Sequence, residues 1–188
     1  MKTKLNQSIY FMVPEKKVSA SRSIMTEMIM PNDTNPIGNL MGGNLMRWMD
    51  IIAAICANRH AEAFCVTASV DHISFHKPVR LGQVITLEAQ VSRVFNTSME
   101  VFVEAFMSDS RSIEKELANH AYFSFVALDE STLKPKKIMQ VVPETEKDQK
   151  LFENAQARRE MRMLLSGRLE AKNAKTLKEL IESNKLIY

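Results

Sequence analysis

The chain has 188 residues, 45% of them apolar, and a net charge of +3. It is long enough for one domain with a real core. The charge is too mild to imply a nucleic-acid partner, and no apolar run reaches the roughly 18 residues of a spanning helix.

Residues 1–17 are mixed and read as an N-terminal arm. Pro14, Glu15, Lys16 and Lys17 interrupt any continuous apolar stretch there, so no signal peptide is expected. Over 18–30, the alternation of Ile24, Thr26, Met28 and Met30 predicts a strand. Asn32, Asp33, Asn35, Pro36, Gly38 and Asn39 then crowd together as loop chemistry. The stretch 35–50, NPIGNLMGGNLMRWMD, passes from that loop into an apolar segment. A helix over about 43–60 follows, apolar nearly all round and therefore expected to be buried. It nevertheless carries Asp50, and a carboxylate rarely goes inside without a partner or a function. Arg47, three residues earlier, is the bland partner for it.

Four strand-like runs come next. Over 64–76, alternation puts Val66, Ala68, Val70 and His72 on one face, with Cys65, Thr67, Ser69 and Asp71 on the other. Residues 84–95, 99–107 and 117–128 alternate likewise, at the spacing of an antiparallel meander. One helix and a long antiparallel sheet make an α+β fold, the helix lying against one sheet face. Residues 134–143 read as a linker. Beyond it, 144–167 and 172–186 are amphipathic helices, Gly167 suited to cap the first. The expected organisation is thus an arm (1–17), a main domain (18–133), and a linker with C-terminal helices (134–188). Cys56 and Cys65 read as reduced core thiols in a cytoplasmic protein.

The pattern Asn35-x-x-Gly38, Gly42-Gly43 and Trp48-Met49-Asp50 resembles the hotdog-fold acyl-CoA thioesterases. The branch in view is that of the mammalian cytosolic acyl-CoA hydrolases and the short bacterial acyl-CoA thioester hydrolases. Val70-Asp71-His72-Ile73-x-Phe75-x-x-Pro78-x-x-x-Gly82 and Thr97-Ser98-Met99-Glu100-Val101 add to the resemblance, which covers about 20–129. Where that family often has an acid after the glycine, this chain has Gln83, read here as a turn residue. The resemblance implies a sheet wrapped around the central helix, with the C-terminal helices an extension. It implies hydrolysis of acyl-CoA to free acid and CoA, with Asn35 and Asp50 as the catalytic pair. It also implies a dimer with sheets joined edge to edge, often built up to a hexamer as a trimer of dimers.

The residues permit that chemistry. Gly43, without a side chain, lets a thioester carbonyl approach the free N–H groups at a helix N-terminus. Asp50 can serve as general base or as nucleophile. Asp50 lies about 10.5 Å beyond Gly43 along one helix face at 1.5 Å per residue. One thioester carbon cannot lie within reach of both, so the site is expected to be composite, Asn35 and Gly43 from one chain and Asp50 from its neighbour. Gly42, Thr67, His76, Lys77, Ser98, Arg158 and Arg159 are the residues expected to hold CoA. For the arginines, packing on a neighbouring subunit is the alternative. No metal or further cofactor is expected: His72 and His76 would lie about 13 Å apart on a strand. The other readings are a hotdog dehydratase, which would need a His in the central helix, and an acyl-CoA sensor, which would need an output domain. No partner is expected beyond acyl-CoA and other copies of the chain, neither nucleic acid nor an inserted membrane.

Overall fold

The computed structural model describes residues 14–71, 73 and 77–183. Its central helix, α1, spans Gly42–Ala61. Leu45, Met49, Ile52, Ala53, Cys56 and Ala57 recur at three- and four-residue spacings, and all are buried. They form the apolar stripe that a helix lays against a sheet. The helix is not buried all round as expected. Gly43, Met46, Arg47, Ile55 and Asn58 are exposed and Asp50 is half-buried, so one stripe stays open.

The sheet beneath α1 is antiparallel, in the order β2 (Ser23–Met28), β4 (Gln83–Val94), β5 (Ser98–Asp109), β6 (Glu116–Leu128), β3 (Phe64–Asp71). The predicted meander is β4-β5-β6. On β4, Ile85, Leu87, Ala89 and Val91 are fully buried, on the face predicted for them. Of the predicted run 64–76, residues 64–71 form β3, and residues 72 and 74–76 lie outside the described residues. The expectations for His72 and His76 fall outside the described residues.

Strict alternation also fails in β3. Thr67 stands opposite Phe125 and Ser69 opposite Ser124, with a bulge between them. Neighbouring residues of β6 point to opposite faces, so Thr67 and Ser69 do too, because Ala68 is the extra residue. The sequence reading had placed them together.

The sheet face away from α1 carries α2 (Glu146–Leu165). A capping box starts it: Thr145 Oγ1 accepts from the Asp148 amide at 3.1 Å, and Asp148 Oδ2 accepts from the Thr145 amide at 3.0 Å. A buried ion pair fixes it to the sheet. Arg158 Nη2 donates to Glu100 Oε1 at 2.7 Å, and Arg158 Nε donates to both Glu100 oxygens at 3.2 and 3.1 Å. Ser92 Oγ donates to the same carboxylate at 2.6 Å, and the guanidinium lies 4.0 Å above the Tyr122 ring. The last helix, α3 (Lys175–Glu182), packs on α2 through Leu177, whose amide donates to Glu160 Oε2 at 2.8 Å.

The presumed arm and linker are also built into the fold. Strand β1 (Glu15–Lys17) pairs in parallel with β7 (Gln140–Val142). Lys16 Nζ donates to the Arg59 carbonyl at 2.7 Å and pairs with Glu62, closing the C-terminus of α1. His60 lies beneath: Nε2 donates to the Met139 carbonyl at 3.1 Å, and Nδ1 faces the Ser21 hydroxyl at 3.2 Å. Burial holds this imidazole below its ordinary pKa, in its neutral form. Short segments poor in periodicity gave the sequence no signal of this pairing. Burial pushes the thiols of Cys56 and Cys65 up to about 12 and about 11, so both are protonated. Among the described residues no helix is long and apolar enough to cross a membrane.

Arg158→Met is expected to strand the Glu100 carboxylate in the interior and to destabilise the protein by about 3–5 kcal/mol. Replacing both partners, Glu100→Leu with Arg158→Met, should recover most of that loss. Urea unfolding of the three proteins measures it. A single variant as stable as wild type would contradict the ion pair as described.

Candidate active site

The loop before α1 is held by Asn35. Its Oδ1 accepts from the amides of Ile37 and Asn39, each at 3.1 Å, and its own amide donates to the Asn39 carbonyl at 2.8 Å. Two backbone donors fix the side-chain orientation, because only the amide oxygen can accept them. The Nδ2 group is thereby left as a donor. Gly38, with φ +79°, completes the turn in a conformation that glycine adopts without strain. Gln83, expected as a turn residue, is instead the first residue of β4, directly after the turn that ends at Gly82; its Oε1 accepts from the Arg80 amide at 2.7 Å.

The loop delivers the chain to the start of α1 at Gly42 and Gly43. The first internal bonds of the helix are those from Asn44 and Leu45 to the Met41 carbonyl, at 3.0 and 3.1 Å. The amides of Gly42 and Gly43 make no hydrogen bond among the described residues, as at any helix start without a side-chain cap. A Cβ at Gly43 would meet nothing within 4 Å. The helix therefore offers free donors and a positive dipole end to whatever approaches.

Asp50 lies on the same open stripe. Its partner is Thr67 of β3, whose Oγ1 donates to Asp50 Oδ1 at 2.8 Å. Among the described residues Arg47 forms no ion pair with it, so the bland pairing is not realised. The bond from Thr67 engages Oδ1, and Oδ2 accepts no hydrogen bond among the described residues. Thr67, expected to hold CoA, thus orients Asp50.

The remaining predicted residues separate. Arg158 is consumed inside the fold by Glu100, Tyr122 and the Leu151 carbonyl. Its side chain is 3% exposed, and it reaches the wall of a cavity of about 530 Å³ lined also by Val70, Asp71 and Arg162. Lys77 pairs with Glu116. Ser98 and Arg159 come together on the far side of the sheet from Asp50, in a cavity of about 370 Å³ beside α2. His76 lies outside the described residues. Arg162, which stands with Arg158 and Arg159 in the basic cluster of that helix, lines the same cavity, as does Arg168, which the sequence gave no reason to single out; the bulge in β3 turns Ser69 towards it.

Residues 37–114 match the family profile described as the thioesterase superfamily. The chain is 42% identical over 135 residues to an uncharacterized acyl-CoA thioester hydrolase of Bacillus subtilis, covering 72% of this chain and 78% of that one. It is 39% identical over 143 residues to the mouse cytosolic acyl coenzyme A thioester hydrolase, covering 75% of this chain but 37% of that longer protein. It spans about a quarter of two further mouse relatives, an acyl-coenzyme A thioesterase and an acetyl-coenzyme A thioesterase. Among solved structures, an apo-hexameric acyl-CoA thioesterase superposes with a TM-score of 0.78 at 37% identity, covering 82% of this chain and 98% of that one. The Staphylococcus aureus acyl-CoA hydrolase, solved with butyryl coenzyme A and coenzyme A, gives 0.78 at 35% identity over 89% and 99% of the two chains. That enzyme has also been solved as alanine variants of an asparagine, an aspartate and a threonine, which follow one another at fifteen and seventeen residues.

Gly43→Ala should leave the isolated fold intact and raise its stability by up to about 1 kcal/mol, the helix propensity that glycine forfeits. The free space around the position motivates this. Urea denaturation tests it, and a marked loss of stability would show the helix start to be crowded.

Proposed function

The chain belongs to the thioesterase superfamily, and from that premise we propose that it hydrolyses acyl-CoA thioesters to free acid and CoA. One observation carries the reading. Asn35, Asp50 and Thr67 repeat the residue types and the fifteen- and seventeen-residue spacings of the three positions altered in the S. aureus enzyme. In this chain Asp50 and Thr67 are hydrogen-bonded, while Asn35 sits in the loop that leads into the open end of α1.

The thioester carbonyl lies at the Gly43 end, polarised by free amides and by Asn35 Nδ2. Asp50, held through one oxygen by Thr67, uses the other. As general base it takes a proton from water while the water oxygen bonds to the carbonyl carbon. The C–S bond then breaks, and the proton passes to the departing CoA thiolate. As nucleophile its free oxygen would bond to the carbonyl carbon as the C–S bond breaks and CoA leaves as the thiolate, and water would then open the resulting anhydride to free acid and restored carboxylate. The gap of about 10.5 Å along α1 supports a site whose two halves come from different subunits. The open stripe of α1 and the exposed edge of β3, with Phe64 61%, Val66 48% and Val70 39% exposed, support this reading. An unpaired apolar edge favours pairing with another copy. A hexameric relative supports assembly of such dimers into a trimer of dimers. A relative named cytosolic supports the cytoplasm as the setting. A dehydratase reading lacks its histidine: His60, the histidine of α1, has both ring nitrogens engaged.

A thiol-release assay with acyl-CoAs of graded chain length is expected to show turnover without added metal, and no CoA released from any of them would refute the proposal. Asp50→Asn should lower turnover at least about a hundredfold with the fold intact, as expected for a lost general base.

A complementation experiment tests the composite site. Asn35→Ala and Asp50→Asn are each expected to be inactive as homodimers. After subunit exchange, a mixed dimer has one site with both lesions and one with neither, so activity should return to at most half the wild-type sites. Exchange verified by mass spectrometry without recovered activity would place both residues in one chain.

A further inference from the structure

We propose that Asp33 and Asn44 are positioning residues for the reaction, locking the loop that carries Asn35 to the first turn of α1. The proposal rests on the acyl-CoA reading and deepens it, because it names what holds the carbonyl-facing parts of loop and helix in one geometry.

Asn35 and the amides of Gly42 and Gly43 have to meet one carbonyl oxygen, yet six residues of loop lie between them. A loop holds such groups to the tolerance a reaction needs where it is tied to a rigid element. Backbone bonds fix the shape of this loop: Thr34 bridges Leu40, and the Met41 amide donates to the Asp33 carbonyl at 2.8 Å. Others join it to residues 79–81, as where the Leu40 amide donates to the Val79 carbonyl at 2.7 Å. None of these bonds reaches into α1.

Asp33 makes that connection. Its Oδ2 accepts from the Met30 amide at 3.0 Å, which closes the 3₁₀ turn Pro31–Asp33. Its Oδ1 accepts from Asn44 Nδ2 at 3.3 Å, and Asn44 is the third residue of α1. A carboxylate oxygen only accepts, so the group facing it is Nδ2, and the side-chain orientation of Asn44 follows. Both residues are half-buried. One side chain thus joins the segment leaving β2, the neck of the Asn35 loop and the first turn of α1.

The arrangement also spares the helix donors. A carboxylate held near the start of a helix ordinarily caps it, accepting from first-turn amides and stabilising the fold. Both oxygens of Asp33 are engaged elsewhere, α1 has no side-chain cap, and the Gly42 and Gly43 amides stay open. A role confined to stability favours the cap; a role in placing the loop favours the bridge to Asn44. Asp33 touches no reacting atom and acts through Asn35 and the helix start.

Calorimetry on the full-length protein with two CoA analogues tests the assignment without turnover. The trifluoroacetonyl thioether of CoA hydrates to a tetrahedral diol that imitates the reaction intermediate, whereas the propyl thioether has no carbonyl. Asp33→Ala and Asn44→Ala are each expected to weaken binding of the trifluoroacetonyl analogue about tenfold, part of the loss that a displaced reacting group can cause, and to leave the propyl thioether within about twofold. With an acyl-CoA, each should lower kcat by a similar factor and leave KM near its wild-type value, the pattern of an interaction made only in the transition state. Asp33→Asn should restore what Asp33→Ala loses: its amide oxygen still accepts from Met30, and its amide nitrogen donates to Asn44 once that side chain turns over. Asn44→Ala leaves the 3₁₀ turn closed, so it decides the matter if Asp33→Ala does not fold. The assignment is overturned if a folded alanine variant binds the trifluoroacetonyl analogue like wild type, if it loses both analogues equally, or if Asp33→Asn is as impaired as Asp33→Ala. A wild type that binds the two analogues alike has no carbonyl contact to be positioned, and that result also overturns it. A wild type that prefers the trifluoroacetonyl analogue but hydrolyses no acyl-CoA keeps the positioning assignment and loses the thioesterase reading.

Discussion

One extra residue in β3 is the constraint on which the site geometry depends. In a regular strand Thr67 and Ser69 would share a face. Ala68 shifts the register against β6 by one position, so Thr67 turns to α1 and Ser69 to α2. Thr67 then reaches Asp50, and Ser69 joins the arginines. Bulges are found where a sheet must re-aim a side chain. Here the result is a strand that presents a hydroxyl on each side of the sheet, Thr67 to α1 and Ser69 to the cavity beside α2.

That arrangement works only if α2 stays where it is. Glu100 and Arg158 lose their hydration on burial, and the loss is offset only because the carboxylate receives donors from both Arg158 and Ser92. A hydrophobic contact would hold the helix against the sheet with less specific register. The forked pair fixes α2 both along and around its axis, and Arg159, next in sequence, is thereby directed at the cavity. Arg158 thus holds its neighbour in place while its own donors stay engaged inside the fold.

The open stripe of α1 is the counterpart on the other face. A helix of this composition would ordinarily be covered on most sides, yet Met46 and Ile55 are 42% and 38% exposed beside Asp50. The apolar edge of β3 adjoins it. Surfaces of this kind call for another protein surface, and a second copy would cover the carboxylate while bringing a helix start towards it. A dry environment around the reacting carbonyl strengthens every polar interaction there, so assembly and catalysis are coupled in the proposed mechanism.

Much of this was legible in the residues themselves. The crowding of Asn, Pro and Gly before an apolar run marked the start of α1, and period-two alternation marked β4, β5 and β6, because both signals are local. Asp50 was conspicuous because a carboxylate in an apolar segment needs a reason. Gly43 and Asp50 could be placed on one helix face by counting residues, since seven positions make nearly two turns. What the tertiary structure decided was every relation between distant segments. The pairing of β1 with β7 joins two stretches without periodicity, so neither shows a pattern alone. The choice of Thr67, not Arg47, as the partner of Asp50 depends on a strand that α1 meets only after folding. The fate of the two adjacent arginines, one buried on Glu100 and one lining a cavity, follows from the rotation of α2 on the sheet. Sequence carries helical and strand periods because they are set by the local backbone; register, bulges and facing partners are set by contacts between elements, and appear only when those elements are packed.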